Sequence, residues 1–152
     1  MLKTMLAATL LAVIPAFAAA AADKSPTIKK TSSLSVPAAV KKFVDTAESK
    51  GATIFAIVDH ARGAQKVDLE LAPAKLVIFG NPALGTPMML AAPEMGLALP
   101  LRVLFYEDAD GITQIVYPNM DVVAAAHGLP ADHPALAKAK GALDGLTGAA
   151  TQ

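Results

Sequence analysis

The stretch Thr53-Ile54-Phe55-Ala56-Ile57-Val58 decides the fold of this chain. It is apolar at every position after Thr53, whereas a strand buried on one face alone would alternate apolar and polar residues. A second stretch of the same kind, Lys75-Leu76-Val77-Ile78-Phe79, follows later in the chain. Strands that are apolar on both faces are typical of the interior of a sheet. We therefore expect both stretches to be central strands.

Helical and extended segments alternate on either side of these two strands. Ser35 and Pro37 are typical of a helix start, and Gly51 is typical of the residue after a helix end. The other predicted elements are a strand at 31–35, short helices from Ala61 and from Thr86-Pro87, a hairpin of strands 101–106 and 112–117 turned at 107–111, and helices at 120–127 and from Pro134. This alternation predicts an α+β fold with a single mixed sheet of about five strands and helices packed mainly on one face.

The composition excludes several classes of function. The 152 residues include 13 Lys and Arg against 13 Asp and Glu, so no basic excess is present to bind a nucleic acid backbone. The chain has no Cys, which excludes disulfides, thiolate metal sites and cysteine nucleophiles. Because 54% of the residues are apolar and only 17% are charged, the composition also excludes a disordered chain.

The start of the chain has the pattern of a secretory signal peptide. A positive charge, a short apolar run and a series of alanines succeed one another within residues 1–22. The apolar run is too short to cross a bilayer, which needs about 20 residues. We expect a signal peptide at 1–22 with cleavage near 18–22, a polar leader at 23–30 and a single domain at 31–148. The product is then expected to be periplasmic or secreted, with no membrane span after signal removal.

Six segments carry a resemblance to a known family. They are 51–60 (GATIFAIVDH), 76–82 (LVIFGNP), 85–87 (GTP), 99–103 (LPLRV), 107–108 (ED) and 126–129 (AHGL). Taken together and in this order, they resemble the bacterial family called domain of unknown function 302. The resemblance implies a compact α+β domain that is paired as a homodimer, and it implies no activity.

Asp59 and His60 form the first candidate site, because they directly follow the first doubly apolar strand. A carboxylate beside an imidazole can fix the imidazole tautomer or share a proton, and sites on α/β sheets collect at strand ends. The alternative is that Asp59 caps the following helix and His60 lies half-exposed in its first turn. Capping explains the Asp but not the adjacent His, so both interpretations stay open.

Gly80, Asn81, Gly85 and Thr86 form the second candidate site. Glycines let a ligand approach the backbone, and free N–H groups at a helix start attract anions. The alternative is a tight loop in which the Asn and Thr side chains cap turns. If the two doubly apolar strands run parallel, their ends lie side by side. The two candidate sites would then border one cleft.

Glu107 is a third candidate, because it continues the apolar strand face of Val103 and Phe105. A partly buried carboxylate there can serve as a general acid or base, and the alternative is that it marks the strand end. A calcium loop with Gly111 at its sixth position would have Tyr106 and Tyr117 at its first and twelfth positions, where carboxylates are needed. His127 and His133 have no compact set of further ligands. We expect no metal and no cofactor.

Three functions follow from these observations. The first is a domain that binds a small polar or anionic molecule at the two strand ends. The second is a cofactor-free enzyme in which His60 acts with Asp59 or Glu107 in proton transfer. The third is a structural or partner-binding module whose apolar sheet face forms an interface. A deep pocket lined by the candidate polar groups favours the first two, and a flat apolar face without a pocket favours the third.

Overall fold

One antiparallel sheet of five strands forms the framework of the protein. The computed structural model describes residues 25–152. The strands are β1 (Thr27–Ser32), β2 (Thr53–Asp59), β3 (Ala74–Gly80), β4 (Leu101–Glu107) and β5 (Thr113–Pro118). Their order is β1-β5-β4-β3-β2, and every neighbouring pair is antiparallel. The predicted α+β class and single five-stranded sheet are confirmed, and the expectation of a mixed sheet is corrected to an antiparallel one.

Five α-helices and one short 3₁₀ helix complete the part of the chain that the structure describes. They are α1 (Val36–Ser49), α2 (His60–Gln65), α3 (Pro82–Ala91), α4 (Met120–Ala126) and α5 (Pro134–Ala149), with the 3₁₀ helix at Pro93–Leu97. None of these helices is long and apolar enough to cross a membrane.

The start of α3 differs from the prediction. The helix begins at Pro82 rather than at Thr86-Pro87, because the Asn81 side chain accepts a hydrogen bond from the Ala83 N–H and so caps the helix earlier. Pro87 therefore lies inside the helix, where its missing N–H removes one helical hydrogen bond. The start of α1 is as predicted in position, although the Ser35 side chain makes no capping hydrogen bond.

The first strand also differs from the prediction. β1 begins at Thr27, inside the segment 23–30 that was predicted as a polar leader, because it pairs with β5 from Thr27 opposite Pro118 to Ser32 opposite Thr113. The predicted signal peptide at 1–22 lies outside the described residues.

The hydrophobic core lies between one face of the sheet and the helices. Alternate residues of the inner strands face it, among them Val77, Val103 and Ile115, all completely buried. Phe43 of α1 packs against this face, with its ring centroid 5.0 Å from that of Phe79. Since the buried apolar strand residues all come from one face, the expectation of helices mainly on one side agrees with the core.

The opposite face of the sheet carries a row of apolar residues that lies outside the core. Val58, Leu76, Leu104 and Val116 pair with one another in register across β2, β3, β4 and β5. None of the four belongs to the hydrophobic core cluster. We call this row the open sheet face.

β2 lies at the edge of the sheet, where the sequence predicted a central strand. Its Phe55, Ile57 and Val58 side chains are 56%, 46% and 39% exposed. The doubly apolar pattern indicates burial on both faces, but β2 has only β3 as a neighbour and leaves its other backbone edge open. The same prediction is correct for β3, which lies between β2 and β4.

Candidate functional site

The antiparallel pairing of β2 with β3 separates the first two candidate sites. Asp59 lies opposite Lys75 at one end of the pair, and Thr53 lies opposite Gly80 at the other. Six residues of extended strand place the two ends roughly 20 Å apart. The expectation that both sets of residues border one cleft is therefore wrong, because it required the strands to run parallel.

Asp59 caps α2, as the alternative interpretation of this residue predicted. One carboxylate oxygen, Oδ1, accepts a hydrogen bond of 3.0 Å from the Arg62 N–H, and the other, Oδ2, lies 2.6 Å from the Lys75 Nζ. His60 is the first residue of the helix and is exposed rather than half-exposed. Both oxygens of Asp59 are thus engaged by groups other than the imidazole, and the arrangement is that of a helix cap with an ion pair.

The hydrogen bond from Lys75 lowers the pKa of Asp59, with the Arg62 N–H as the second cause. Since the folded state binds the proton less tightly than the unfolded state, this carboxylate stabilises the fold at pH values above its unfolded pKa. The stabilisation is lost as the pH falls through the lowered folded-state pKa.

We expect Lys75→Gln to raise the pKa of Asp59 toward its ordinary value in an NMR titration of the carboxyl carbon. Lys138→Gln, an exposed change on α5, should leave it unaltered, and an unaltered pKa in Lys75→Gln would contradict the assignment.

Glu107 lies at the same end of the sheet as Asp59 but borders a different surface. It is half-buried and contributes to a shallow groove together with Ser32, Ser35 and Thr113. Asp59 and His60 do not line this groove. β2 and β4 are separated by β3, so their axes lie about 10 Å apart. The structure does not bring the acid–base candidates together in one pocket.

A pocket of about 280 Å³ lies at the other end of the sheet, between α3, α5 and the ends of β2, β3 and β4. Gly80, Asn81, Gly85 and Thr86, the complete second candidate set, line it. The rest of the wall is almost entirely apolar: Ala52, Phe55, Phe79, Pro82, Leu84, Met88, Met89, Leu99, Pro100, Leu101, Ala139, Ala142 and Leu146, with Lys50 as the one charged side chain.

A β-bulge shapes one wall of the pocket. The register of β2 against β3 shifts between Ile54 and Ala56, so Phe55 has no partner on β3. A bulge redirects the side chain of the extra residue, and Phe55 here lies over Gly80. A Cβ atom at Gly80 would come 3.3 Å from the Phe55 ring, which is tighter than an ordinary contact. The absence of a side chain at Gly80 is what allows the ring to pack there.

The start of α3 holds the polar side of the pocket in place, and its backbone N–H groups are already hydrogen-bonded. The Asn81 Nδ2 donates to the Gly51 carbonyl oxygen at 3.2 Å, which ties this loop to the end of α1. The N–H of Ala83 donates to the Asn81 Oδ1, and those of Leu84 and Gly85 donate to the Asn81 carbonyl oxygen. The expected free N–H groups of this helix start are therefore occupied.

Three parts of the pocket were missed by the sequence analysis. Lys50 lies just beyond the apolar pattern of α1, so no sequence pattern marks it as part of a site. Phe55 belongs to a stretch that predicts a regular strand, and no local residue pattern marks the bulge. Ala139, Ala142 and Leu146 of α5 recur at helical spacing, so they were recognisable as one face of a helix but not as the wall of a cavity.

Within residues 25–152 no three His, Asp or Glu side chains converge on a position that could hold a metal ion. His133 instead caps α5, since its Nδ1 accepts a hydrogen bond from the Ala135 N–H at 3.3 Å.

Several known proteins are similar to parts of this chain. A segment of 95 residues is 37% identical to the fluoride-specific ion channel FluC 1 of Brucella suis and, at the same identity, to FluC 1 of Brucella abortus. That segment is 62% of this chain but only 37% and 35% of the two relatives, so the chain spans about a third of their length.

A solved structure and a family model give the remaining similarities. The crystal structure of an uncharacterized conserved protein DUF302 from Bacillus stearothermophilus matches with a TM-score of 0.76 at 15% identity, over 84% of this chain and 99% of that one. This likeness shows a shared fold. The model of the family described as domain of unknown function DUF302 matches residues 28–149, nearly the whole of the described chain. The resemblance noted in the sequence is thus confirmed, and the chain belongs to the DUF302 family.

Proposed function

We propose that this protein binds a small and largely apolar molecule in the pocket between α3 and α5. The observation that carries the proposal is the pocket itself: about 280 Å³, close to the lower limit of typical ligand sites, with an apolar wall and a few polar groups at one side. The second candidate set from the sequence supplies those polar groups. The sequence predicts a small polar or anionic ligand, whereas we propose a largely apolar one. The reason is that the N–H groups at the start of α3, which would have held an anion, already donate to Asn81.

The chemistry of the wall favours binding over catalysis. The lining side chains include no His, Asp or Glu, and Lys50 is the one ionisable group among them, so the pocket has no pair of acid–base groups. Binding would instead draw on the burial of apolar surface, about 25 cal/mol for each Å² removed from water. Asn81 and Thr86 can orient one polar group of the bound molecule.

Filling the pocket from α5 tests the proposal. Ala142 is half-buried and lines the pocket, and Ala137 lies on the same helix but is exposed and does not. We expect Ala142→Phe to weaken binding of the neutral fluorophore N-phenyl-1-naphthylamine about tenfold or more, because overpacking a site costs about 1–3 kcal/mol. Fluorescence titration measures the affinity, and a thermal melt verifies that the variant folds.

Ala137→Phe adds the same ring to the same helix and should bind the fluorophore like the original protein. If both variants keep full affinity, or the original protein binds no fluorophore, the pocket is not a binding site. Equal losses in both variants would assign the fluorophore to another surface.

A second proposal concerns pairing of two copies of the chain through β2. It is supported by the exposed apolar side chains of this edge strand, by the absence of charge between Ile54 and Val58, and by the open sheet face beside it. Two identical edge strands can pair antiparallel about a two-fold axis. Because residues 54–58 carry no charge, this pairing would bring no like charges together within the segment. This proposal is the partner-binding alternative with a second copy of the chain as the partner. The family resemblance also implies a homodimer.

Neither proposal draws on the channel activity named for the Brucella proteins, since the chain matches only about a third of each. Export directed by residues 1–22 remains our proposal for its location.

A further inference from the structure

We infer that the ligand of the pocket is an amphipathic acid, with a short aliphatic tail in the apolar cavity and an anionic head on the Lys50 ammonium. The inference rests on the proposed binding function and adds the chemical class of the ligand. Lys50 is the one charged side chain among the lining residues, and it is exposed, so its ammonium stays solvated while the residue borders the pocket.

The local structure places Lys50 beside the polar groups of the pocket. It follows the last residue of α1 as the C-cap, and the next residue, Gly51, accepts the hydrogen bond from the Asn81 Nδ2. Lys50 and the start of α3 are thereby held as neighbours. Asn81 keeps a second amide hydrogen, and Thr86 contributes a hydroxyl to the same lining. An anionic head can be held by the ammonium and by these two donors.

The charge of Lys50 is not used inside the described part of the chain. Lys30, Lys41, Lys75 and Lys140 each have a carboxylate within 2.8 Å. Lys50 has no such carboxylate among residues 25–152. A cation at the mouth of an otherwise apolar pocket attracts an anion that also carries apolar surface.

The size of the pocket limits the tail. A volume of about 280 Å³ is small for a ligand site, so the tail has roughly six to ten carbons rather than the length of a membrane lipid chain. Each methylene that enters the cavity should raise the affinity about fourfold, until the pocket is full.

Paired ligands that differ only in the head group test the inference. We expect octanoate to bind about fivefold more tightly than 1-octanol in calorimetric titrations at low salt, because an exposed ion pair contributes modestly and is screened by salt. In Lys50→Gln the affinity for octanoate should fall to that for octanol, while the affinity for octanol stays the same. Lys66→Gln, an exposed lysine beyond α2 at the other end of the sheet, should keep the fivefold preference.

Each outcome separates the inference from the proposed function. If octanoate and octanol bind equally well to the original protein, the pocket binds apolar molecules and the inference about the acid is wrong. If the preference for octanoate persists in Lys50→Gln, the head group lies elsewhere and the inference is equally wrong. If neither compound binds, the proposed function itself fails.

Discussion

Replacing Phe43 by alanine is expected to lower the free energy of unfolding by about 3–5 kcal/mol, enough to leave the fold marginal. Phe43 is completely buried on α1, at the point where the helix meets the sheet. Its ring makes edge-to-face contacts with Phe79 of β3 and Phe105 of β4, at centroid distances of 5.0 and 5.4 Å. The substitution removes apolar burial and both ring contacts, and a packed interior cannot close fully over the cavity.

Phe55→Ala provides a control with the same chemical change. Phe55 is 56% exposed at the bulge of β2, so its truncation should cost the fold about 1 kcal/mol or less. Because Phe55 lines the pocket, its loss should instead weaken binding of the neutral fluorophore. Urea unfolding followed by circular dichroism measures both stabilities. Equal losses for the two variants would show that Phe43 is not the centre of the core.

Local signals in the sequence were sufficient for much of the fold. Gly51 has a positive φ of 77°, which suits the glycine predicted to follow α1. Gly111 has a φ of 75° in the turn between β4 and β5, where the hairpin was predicted. These predictions succeed because the conformation of a cap or a turn depends on residues next to it in the chain.

The direction of β3 relative to β2 depends on no such local signal. Residues 60–73 join the two strands and include a helix, and a connection of about a dozen residues or more with a helix is typical of a parallel crossover. α2 has only six residues, and after it the chain returns beside β2 in the opposite direction. β2 and β3 therefore pair antiparallel. The prediction of one shared cleft depended on this direction and is wrong for the same reason. Asp59 and Asn81 each lie between a strand end and a helix start, as the local pattern predicted, but at opposite ends of the sheet.

The apolar pattern of β2 and its exposed position at the sheet edge are consistent with pairing of two copies through this strand. Strands that are apolar on both faces are typical of sheet interiors, and a single copy leaves one backbone edge of β2 open. Pairing with β2 of a second copy would make this strand central in a continuous sheet of two chains. The sequence prediction of a central strand would then hold for the pair, although it is wrong for the single chain.

Ile57→Lys is therefore expected to convert the pair into single chains and to raise the dissociation constant about 100-fold or more. The two-fold symmetry of the pair would bring both new lysines to the interface, where burying each without a partner costs more than 1 kcal/mol, and lysine on an edge strand opposes pairing. Ile57 is 46% exposed in the single chain, so the substitution should leave the fold intact.

Sedimentation velocity over a range of protein concentrations measures the equilibrium. Leu90→Lys is the matched control, because Leu90 is 81% exposed and belongs to α3 rather than to the edge strand, so this change should leave the pair unchanged. A single-chain sedimentation coefficient for the original protein at every concentration would contradict the pairing. If Ile57→Lys keeps the pair and Leu90→Lys dissociates it, the two copies contact each other through the helices and not through β2. Since Phe55 belongs both to β2 and to the pocket wall, pairing through β2 also predicts that Ile57→Lys changes the affinity for the fluorophore.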